Sequence, residues 1–367
     1  MFDYDVVKMR EELHKMPELG FEEVKTAAYV AERLTELGYE VTTGLGGTGV
    51  MGVIKGTEPG PVLMLRADMD ALPFKNADGS IERIHACGHD GHTAMLLATA
   101  KELVGKVRRG TLKLLFQPAE ETLRGADEVI KTGCCDDVEI ALAAHVRPIQ
   151  DCTPGHLCAG IMHQSSTFVQ IDIQGRATHA SRPHLGVNAA EAAALVTLAV
   201  SAIKMDPNKK WSCKVTSIYT PSSAANIIPD QATLKLDVRM QTDEMMTEAL
   251  EKIKVAAKGA AESIGATAEV SLPGPIMLAA VYDEELKAEV AESITRLFGA
   301  DHLDPDCGAG GEDFHFYRNC KKHPKVAYFG VGAGCAPGLH ARDMHFDPEY
   351  LRNGVKVMVD MALKKVG

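Results

Sequence analysis

The sequence predicts an α/β protein with two domains, the second inserted into the first. The chain has 367 residues, more than one hydrophobic core usually organises. Up to about residue 145, and again after about residue 275, apolar runs typical of buried strands alternate with segments of helical periodicity. Between about 165 and 272 the order changes to strand, helix, two strands, helix and strand.

The first segment begins with helices and continues as alternating strands and helices. Apolar residues at helical spacing end at Gly38, which predicts a helix closed by a left-handed glycine cap. Strands are expected around 49–55 and 62–66, and a helix from Gly91 to about Val107. This alternation predicts a sheet with helices on its faces.

The central segment is typical of a separate βαββαβ unit. Strands are expected at 168–173, 211–219, 232–239 and 266–270, and helices at 187–204 and 244–264. Such a unit closes on itself as a ferredoxin-like layer, so we assign it to an inserted domain. Pro273-Gly274-Pro275 marks the return to the outer domain, which a helix at 283–298, a strand at 325–330 and a helix at 347–365 complete. The expected domain segments are 1–163, 164–274 and 275–367.

Charge and cysteine content narrow the class of protein. Lys and Arg total 39 against 50 Asp and Glu, and this net charge of −11 argues against a nucleic-acid or anionic-membrane surface. The amino-terminal residues are charged where a signal peptide needs an apolar core, and no apolar run approaches the roughly 20 residues of a membrane span. Nine cysteines, an odd number, fit free thiols. We therefore expect a soluble cytoplasmic protein.

A dense cluster of metal-binding residue types lies between His85 and His92. It places one thiol, three imidazoles and one carboxylate in eight positions, directly before a helical pattern. Thiolate and imidazole are the ligands that borderline transition metals prefer, and Cys87 and His89 can reach one ion from the same loop. A buried free cysteine beside solvated histidines is the alternative.

Similar residue types follow several predicted strands, and this favours the metal site. Glu120 and Glu121 come shortly after a strand at 112–116, and His145 directly follows one at 140–144. His340 follows a strand and a glycine-rich stretch, and Asp68 and Asp70 follow the strand at 62–66. Because α/β sheets build their sites at the carboxyl ends of strands, we expect these side chains to converge.

A series of short motifs extends along nearly the whole chain. They are 17–23 (PELGFEE), 66–73 (RADMDALP), the loop from Cys87 to Thr93, 117–121 (QPAEE), 144–146 (AHV), 178–183 (THASRP), 226–229 (NIIP), 311–314 (GEDF) and 339–340 (LH). Together they resemble the motifs of M20-type metallopeptidases of the amidohydrolase branch, and the connection at 78–84 resembles an AmhX-like subgroup. The resemblance implies an α/β/α catalytic domain with an inserted lid and dimerisation domain. It also implies hydrolysis of N-acyl amino acids, such as hippurate, to a carboxylic acid and an amino acid.

Carried over by position, the resemblance implies five protein ligands for two divalent metal ions: Cys87, His89, Glu121, His145 and His340. Zinc or manganese is expected, with cobalt and nickel also compatible with these ligands. Glu121 is expected to be shared by the two ions or close to both. Asp70 is expected to orient a ligand from behind, and Asp68 and His92 have no assigned role.

The resemblance also assigns catalytic and substrate-binding residues. Glu120 would be the general base that takes a proton from a metal-activated water and delivers it to the leaving amine. His179, in the inserted domain, would donate to the developing oxyanion, often from a partner subunit in this family. Asn226 and Arg239 would grip the α-carboxylate of the substrate, for which the planar arginine fork is suited. We therefore expect a homodimer through the inserted domain.

Other functions remain open from the sequence. Cys87 could be the nucleophile of a cysteine hydrolase with a histidine as base. The chain could instead be a dipeptidase or carboxypeptidase of the same fold, or a relative that binds without turnover, although an intact Glu120 argues against the last. The acyl group is not determined, and neither is the role of the adjacent Cys134 and Cys135. The glycine-rich segment 308–314 is expected to be a flexible loop at the rim of the site.

Overall fold

The protein is described here by a computed structural model that covers residues 2–221, 224–308 and 310–367. The chain divides into two compact units, one formed by Met1–Met162 with Val281–Gly367 and the other by His163–Ala280. The expected boundaries, 163/164 and 274/275, lie near these divisions. The predicted α/β class with a separate antiparallel domain is confirmed.

The first segment of the outer unit contains four helices and eight strands among its described residues. In chain order they are α1 (Val6–His14), α2 (Val24–Glu36), β1 (Glu40–Leu45), β2 (Gly49–Lys55), β3 (Glu58–Asp68), β4 (Leu72–Lys75), β5 (Ile81–Ile84), α3 (His89–Leu103), β6 (Arg109–Gln117), α4 (Gly125–Lys131), β7 (Ile140–Pro148) and β8 (Leu157–Cys158).

The unit formed by His163–Ala280 has the predicted βαββαβ order, with two very short additional strands. Its elements are β9 (Ser165–Gln174), β10 (Thr178–His179), α5 (Ala189–Ser201), β11 (Trp211–Tyr219), β12 (Ile227–Ile228), β13 (Gln231–Met240), α6 (Asp243–Glu262) and β14 (Thr267–Ser271). Four strands form an antiparallel sheet in the order β11-β13-β9-β14, and β10 pairs with β12. One face of the four-stranded sheet is buried against α5 and α6.

The last segment returns to the outer unit and completes its sheet. It contains α7 (Glu284–Phe298), β15 (Leu303–Asp304), β16 (Lys325–Cys335) and α8 (Leu351–Val366). The eight-stranded sheet has the order β1-β2-β6-β3-β7-β16-β8-β15. Strands β6, β3, β7 and β16 run parallel, so their carboxyl ends lie at one edge.

The helix that follows the candidate loop lies in the core of the outer unit. Helix α3 is buried on nearly all sides and packs against α1, α8 and the sheet. Strand β7 is buried from Ile140 to Arg147, as expected for a parallel strand covered on both faces. The site is therefore built on buried and closely packed elements.

Several element boundaries differ from the sequence-based expectations. Helix α3 begins at His89 rather than Gly91, so two residues of the predicted loop belong to the helix. Strand β7 continues through Pro148, so His145 lies within the strand rather than after it. Strand β1 and the β4-β5 hairpin were not predicted, because they are short and mostly exposed and therefore carry little apolar periodicity. None of the described helices has the combination of length and apolar composition that crossing a bilayer requires.

Candidate functional site

The parallel strands of the outer unit bring the expected metal ligands to one edge of the sheet. Asp68 ends β3 opposite Gln117, the last residue of β6, and Glu120 and Glu121 lie in the turn that follows. His145 lies in the neighbouring β7, and His89 opens α3. The convergence that the sequence predicts is therefore present in the fold.

The distances between donor atoms are those of ligands around a shared ion. Cys87 Sγ lies 3.5 Å from His145 Nε2, and Glu121 Oε1 lies 3.8 Å from His89 Nε2 and 3.5 Å from His340 Nε2. Ligands that stand about 2.0–2.3 Å from a tetrahedral ion are about 3.4–3.7 Å from one another. The observed spacing is close to that range.

These donors form two overlapping groups. Cys87, His89 and His145 form one, Cys87, Glu121 and His340 form the other, and within each group the ligand atoms lie within 4.8 Å of one another. Cys87 is common to both groups. Glu121, which we expect to be shared by the two ions or close to both, belongs to the second group and also lies 3.8 Å from His89 Nε2.

The residues fit a metal ion for a second, independent reason. His89 Nε2 and Glu121 Oε1 are buried and have no hydrogen-bond partner among the described residues. Burying such atoms without a partner is costly, and a cation between them would offset that cost.

Neighbouring groups orient two of the imidazoles for metal binding. The Nδ1–H of His145 donates to the Val146 carbonyl oxygen over 2.6 Å, and that of His89 donates to Asp70 Oδ1 over 3.1 Å. A carbonyl and a carboxylate only accept, so both rings carry the proton on Nδ1. The lone pair of Nε2 is then available to a metal.

Asp70 holds three groups of the site at once. Besides His89, its carboxylate accepts the N–H of Glu120 over 3.1 Å and the N–H of Glu121 over 2.9 Å. One side chain thus sets the orientation of an imidazole and of the turn that carries both glutamates. This arrangement agrees with the supporting role expected for Asp70.

Asp68 and His92, which the sequence left without a role, form a buried pair beneath the site. His92 Nδ1 lies 2.6 Å from Asp68 Oδ1, and His92 Nε2 accepts the N–H of Val146 over 2.9 Å. Because that N–H can only donate, the ring proton is on Nδ1 and is given to Asp68. His92 therefore binds the main chain next to His145, and Asp68 orients His92.

The electrostatics of the site favour the binding of a cation. Burial and the neighbouring Glu121 raise the pKa of the Cys87 thiol well above its usual value. Burial likewise raises the pKa of Glu121 to about 7. Against the effect of burial, Asp68 and Asp70 raise the pKa of His89 to about 10.

Glu120 lies beside the ligand set and is 6 % exposed. Its Oε2 is 3.9 Å from His89 Nε2. Burial raises the pKa of the Glu120 carboxyl well above its usual value, and the nearby Glu312, Glu121 and Asp313 raise it further. A carboxylate in this environment accepts a proton readily.

The unit formed by His163–Ala280 carries two of the remaining candidates on its small two-stranded sheet. His179 in β10 pairs with Ile227 in β12, directly after Asn226. The main-chain N–H of Ser181 donates to His179 Nδ1 over 3.1 Å, so in the neutral ring the proton is on Nε2. His179 is exposed, and its Nε2–H is oriented by Ser181.

Arg239 lies near the end of β13, and its side chain is 37 % exposed. Its Nε lies 3.1 Å from both oxygens of Asp237, which is two residues away on the same face of the strand. The arginine that the sequence assigns to substrate binding is therefore partly engaged by an acidic neighbour.

Three residues near Glu120 lie in the motifs 66–73 and 311–314, but the sequence gave no reason to assign them a role. Arg66 is fully buried and pairs with Glu312 and Asp313. The segment 308–314 was expected to be a flexible rim loop, but Glu312 and Asp313 are buried, and Ala309 lies outside the described residues. The feature of the sequence that could have pointed to them is Arg66, a charged residue within an apolar pattern that predicts a buried strand.

Comparisons with known proteins agree with this geometry. The profile of Peptidase family M20/M25/M40 matches residues 64–364. Hippurate hydrolase of Campylobacter jejuni is 33% identical over 97% of this chain and 95% of its own length. Thermostable carboxypeptidase 1 of Saccharolobus solfataricus is 30% identical over 98% of this chain and 95% of its own length.

A solved structure gives the same result for the fold. The Bacillus subtilis YXEP protein, described as a dinuclear metal binding peptidase from the M20 family, superposes with a TM-score of 0.82 and 28% identity. The match covers 98% of this chain and 97% of that one. The chain therefore belongs to peptidase family M20/M25/M40.

Proposed function

We propose that this protein is a metal-dependent amidohydrolase that cleaves the amide bond of N-acyl amino acids and releases a carboxylic acid and an amino acid. One observation carries the proposal. The five side chains Cys87, His89, Glu121, His145 and His340 converge at the sheet edge, beside a buried Glu120. Relatives in the family include a hydrolase of hippurate, which is an N-acyl amino acid.

The residues present suit two divalent ions held by those five side chains. When bound, such ions supply Lewis-acid polarisation of the amide carbonyl and lower the pKa of a bound water. Thiolate favours zinc, whereas carboxylate and imidazole also suit manganese, cobalt and nickel. Elemental analysis of protein purified without added metal would distinguish them.

Glu120 is the proton carrier of the proposed reaction. Burial and acidic neighbours raise the pKa of its carboxyl, which suits a carboxylate that takes a proton from the attacking water and then delivers it to the leaving amine. The adjacent Glu121 differs in role because its carboxylate faces His340 and His89.

His179 supplies a hydrogen bond to the oxyanion that forms on the carbonyl. The contact with Ser181 leaves its Nε2–H available for that purpose. One such donor typically stabilises a transition state by about 3–4 kcal/mol. Asn226 and Arg239 bind the α-carboxylate of the substrate, with Arg239 exchanging part of its contact with Asp237.

We further infer a homodimer formed through the inserted domain. Leu198 on α5 and Val255 on α6 are 67% and 72% exposed, and Ile218 is exposed on the edge strand β11. Apolar side chains of this size on helix faces and a sheet edge favour pairing around a two-fold axis. Sedimentation of the protein as a monomer at all concentrations would contradict this.

We infer a cytoplasmic location, which the free thiols support. All nine cysteines are free, including Cys134 and Cys135, whose sulfur atoms lie 3.5 Å apart. Free thiols at this spacing persist in a reducing compartment. Fractionation of the producing cells would test the location.

A carboxypeptidase is the second candidate, because one relative carries that name. It would use the same site on a peptide carboxyl terminus. A panel that pairs each N-acyl amino acid with a dipeptide sharing the same terminal residue distinguishes the two. Higher kcat/KM for the dipeptides would favour the peptidase.

The panel also tests the proposed function itself. Wild type should release the free amino acid, a chelator should abolish that activity, and added divalent metal should restore it. Glu120→Gln should lower kcat by about 100-fold or more without loss of bound metal. Glu128→Gln, a partly exposed site on α4, is the matched control and should be unaffected. Activity that survives complete metal removal would favour a cysteine hydrolase instead.

A further inference from the structure

Cys158 and Cys307 bring two thiols into contact from distant parts of the chain. Their Sγ atoms lie 3.2 Å apart, although the two residues are 149 positions apart in the sequence. Both cysteines are free, and neither belongs to the groups that could hold a metal ion. A disulfide bond is about 2.0 Å long, so rotation about the two Cα–Cβ bonds brings the sulfurs to bonding distance with little movement of other atoms.

Main-chain hydrogen bonds hold the two segments that carry these thiols side by side. Strand β15 pairs in parallel with β8, where Asp304 lies opposite Cys158. Further along, the N–H of Cys307 donates to the Gly160 carbonyl oxygen over 3.2 Å, and the N–H of Met162 donates to the Cys307 carbonyl oxygen over 2.7 Å. The main chain at both thiols is therefore fixed by pairing between the two segments.

The two thiols differ in their access to solvent. Cys307 is half-buried, whereas Cys158 is fully buried. The contact with Cys158 raises the pKa of the Cys307 thiol above its usual value, and burial raises it further. Because the thiolate is the form that attacks a disulfide, we expect oxidation to begin at Cys307 and to take hours rather than seconds.

Other close thiols are less suited to form a disulfide. Cys134 and Cys135 have sulfurs 3.5 Å apart, but they are adjacent residues. Adjacent Cα atoms are about 3.8 Å apart, which is shorter than the separation of about 4.4–6.8 Å found in disulfides. Cys152 also contacts Cys158, but it is 2% exposed and therefore shielded from an oxidant in solution.

We propose that Cys158 and Cys307 are a site of reversible disulfide formation, with a low-molecular-weight disulfide as the oxidant. The Cys307 thiolate attacks one sulfur of the oxidant, forms a mixed disulfide and displaces one thiolate. Cys158 then loses its proton, attacks Cys307 Sγ and displaces the second thiolate. The two displaced thiolates take up the two protons that the cysteines lost. Two protein thiols are thus oxidised, and one disulfide is reduced to two thiols.

The bond would join two distant parts of the outer unit. It connects β8 to the stretch that leads to Glu312 and Asp313, and it closes a loop that contains all of His163–Ala280. Closing so long a loop restricts the unfolded chain and stabilises the folded one. We expect the melting temperature of the outer unit to rise by about 4 °C or more on oxidation. This inference does not depend on the proposed function.

Peptide mapping after oxidation tests the site. Metal-loaded protein is incubated with oxidised glutathione, its remaining thiols are blocked with iodoacetamide in urea, and the product is digested with trypsin and chymotrypsin. Trypsin releases 297–318, in which Cys307 is the only cysteine, and chymotrypsin cleaves after Leu157 and so separates Cys152 from Cys158. We expect a link between Cys307 and Cys158 that dithiothreitol removes. A free Cys307, a Cys307 that carries only glutathione, or a link to Cys152 would overturn the inference.

Serine variants connect the link with the gain in stability. Cys307→Ser should show no rise in melting temperature after the same incubation, and its melting temperature under reducing conditions checks that it folds. Cys152→Ser is the matched control, because it removes a thiol that contacts Cys158 and should keep both the link and the rise. An equal rise in Cys307→Ser and wild type would overturn the inference, as would loss of the link in Cys152→Ser.

Discussion

The main chain of Val146 connects two imidazoles that have different roles. Its carbonyl oxygen accepts from His145, a candidate ligand, and its N–H donates to His92, which is no ligand in the proposed site. His92 in turn donates to Asp68. Val146, His92 and Asp68 thus hold His145 in the tautomer that a metal needs, and each of the three hydrogen bonds has a defined donor and acceptor.

His92→Gln should therefore weaken metal binding. Loss of the ring breaks the contacts to Asp68 and to the Val146 N–H, so His145 loses its fixed orientation. We expect metal affinity to fall by about 10- to 100-fold, measured by competition with a chromogenic chelator. His156→Gln is the matched control, since His156 forms a comparable pair with Asp304, Nδ1 to Oδ1 at 2.9 Å, outside the ligand set. Equal affinities in His92→Gln and wild type would remove His92 from the support of the site.

Arg239 allows a residue-scale test of substrate recognition. If it grips the α-carboxylate, Arg239→Ala should raise KM for N-acyl amino acids by about tenfold or more, because a hydrogen bond to a charged group contributes about 1.5–3 kcal/mol. The corresponding methyl esters serve as the control, since they lack the charge. Similar kcat/KM for acids and esters in wild type would exclude this role.

At the scale of elements, the junction before α3 controls the ligand geometry. Gly88, the residue between Cys87 and His89, has φ +86°, and a Cβ there would lie 2.5 Å from Val146 Cγ2. The left-handed backbone turns the chain sharply between Cys87 and His89, whose donor atoms belong to the same group. The close contact places that turn against β7, the strand that carries His145.

Gly88→Ala should consequently harm both stability and metal binding. The left-handed conformation costs about 1–2 kcal/mol in a residue with a Cβ, and the clash with Val146 adds to it. Gly79→Ala is the matched control, because Gly79 has the same φ of +86° with nothing within 4 Å of the added Cβ. Urea denaturation and metal titration of both variants measure the difference. Equal effects of the two substitutions would show that the contact with Val146 is unimportant.

At the scale of the whole molecule, all five candidate ligands belong to one unit. Cys87, His89, Glu121, His145 and His340 lie in Met1–Met162 and Val281–Gly367, and none lies in His163–Ala280. A ligand stabilises the part of a protein that binds it. The two units should therefore respond differently to metal.

Calorimetry should show this difference. Metal at about 100 times its dissociation constant adds about 2.7 kcal/mol to the stability of the binding unit alone. Ile253→Ala, in the core of the other unit, identifies the second transition by lowering it, since such a cavity costs about 2–5 kcal/mol. A metal-induced shift of both transitions by the same amount would contradict independent units.

The sequence alone determined the α/β class, the inserted βαββαβ unit and the set of metal-binding residue types. These features depend on local periodicity and on side-chain chemistry, and both can be read from a short stretch of sequence. It did not reveal strand β1, because an exposed edge strand has little apolar pattern. It also placed His145 after a strand rather than within one.

Tertiary structure alone decided which side chains act together. Residues 66 and 312 are far apart in the chain, so no local pattern connects Arg66 with Glu312 or places both beside Glu120. The presence of Cys87 in both groups of donor atoms and the contact between His92 and the Val146 N–H likewise arise from the register of neighbouring strands and the start of α3. Distances between donor atoms depend on how whole helices and strands pack, so they cannot be inferred from any local stretch of sequence.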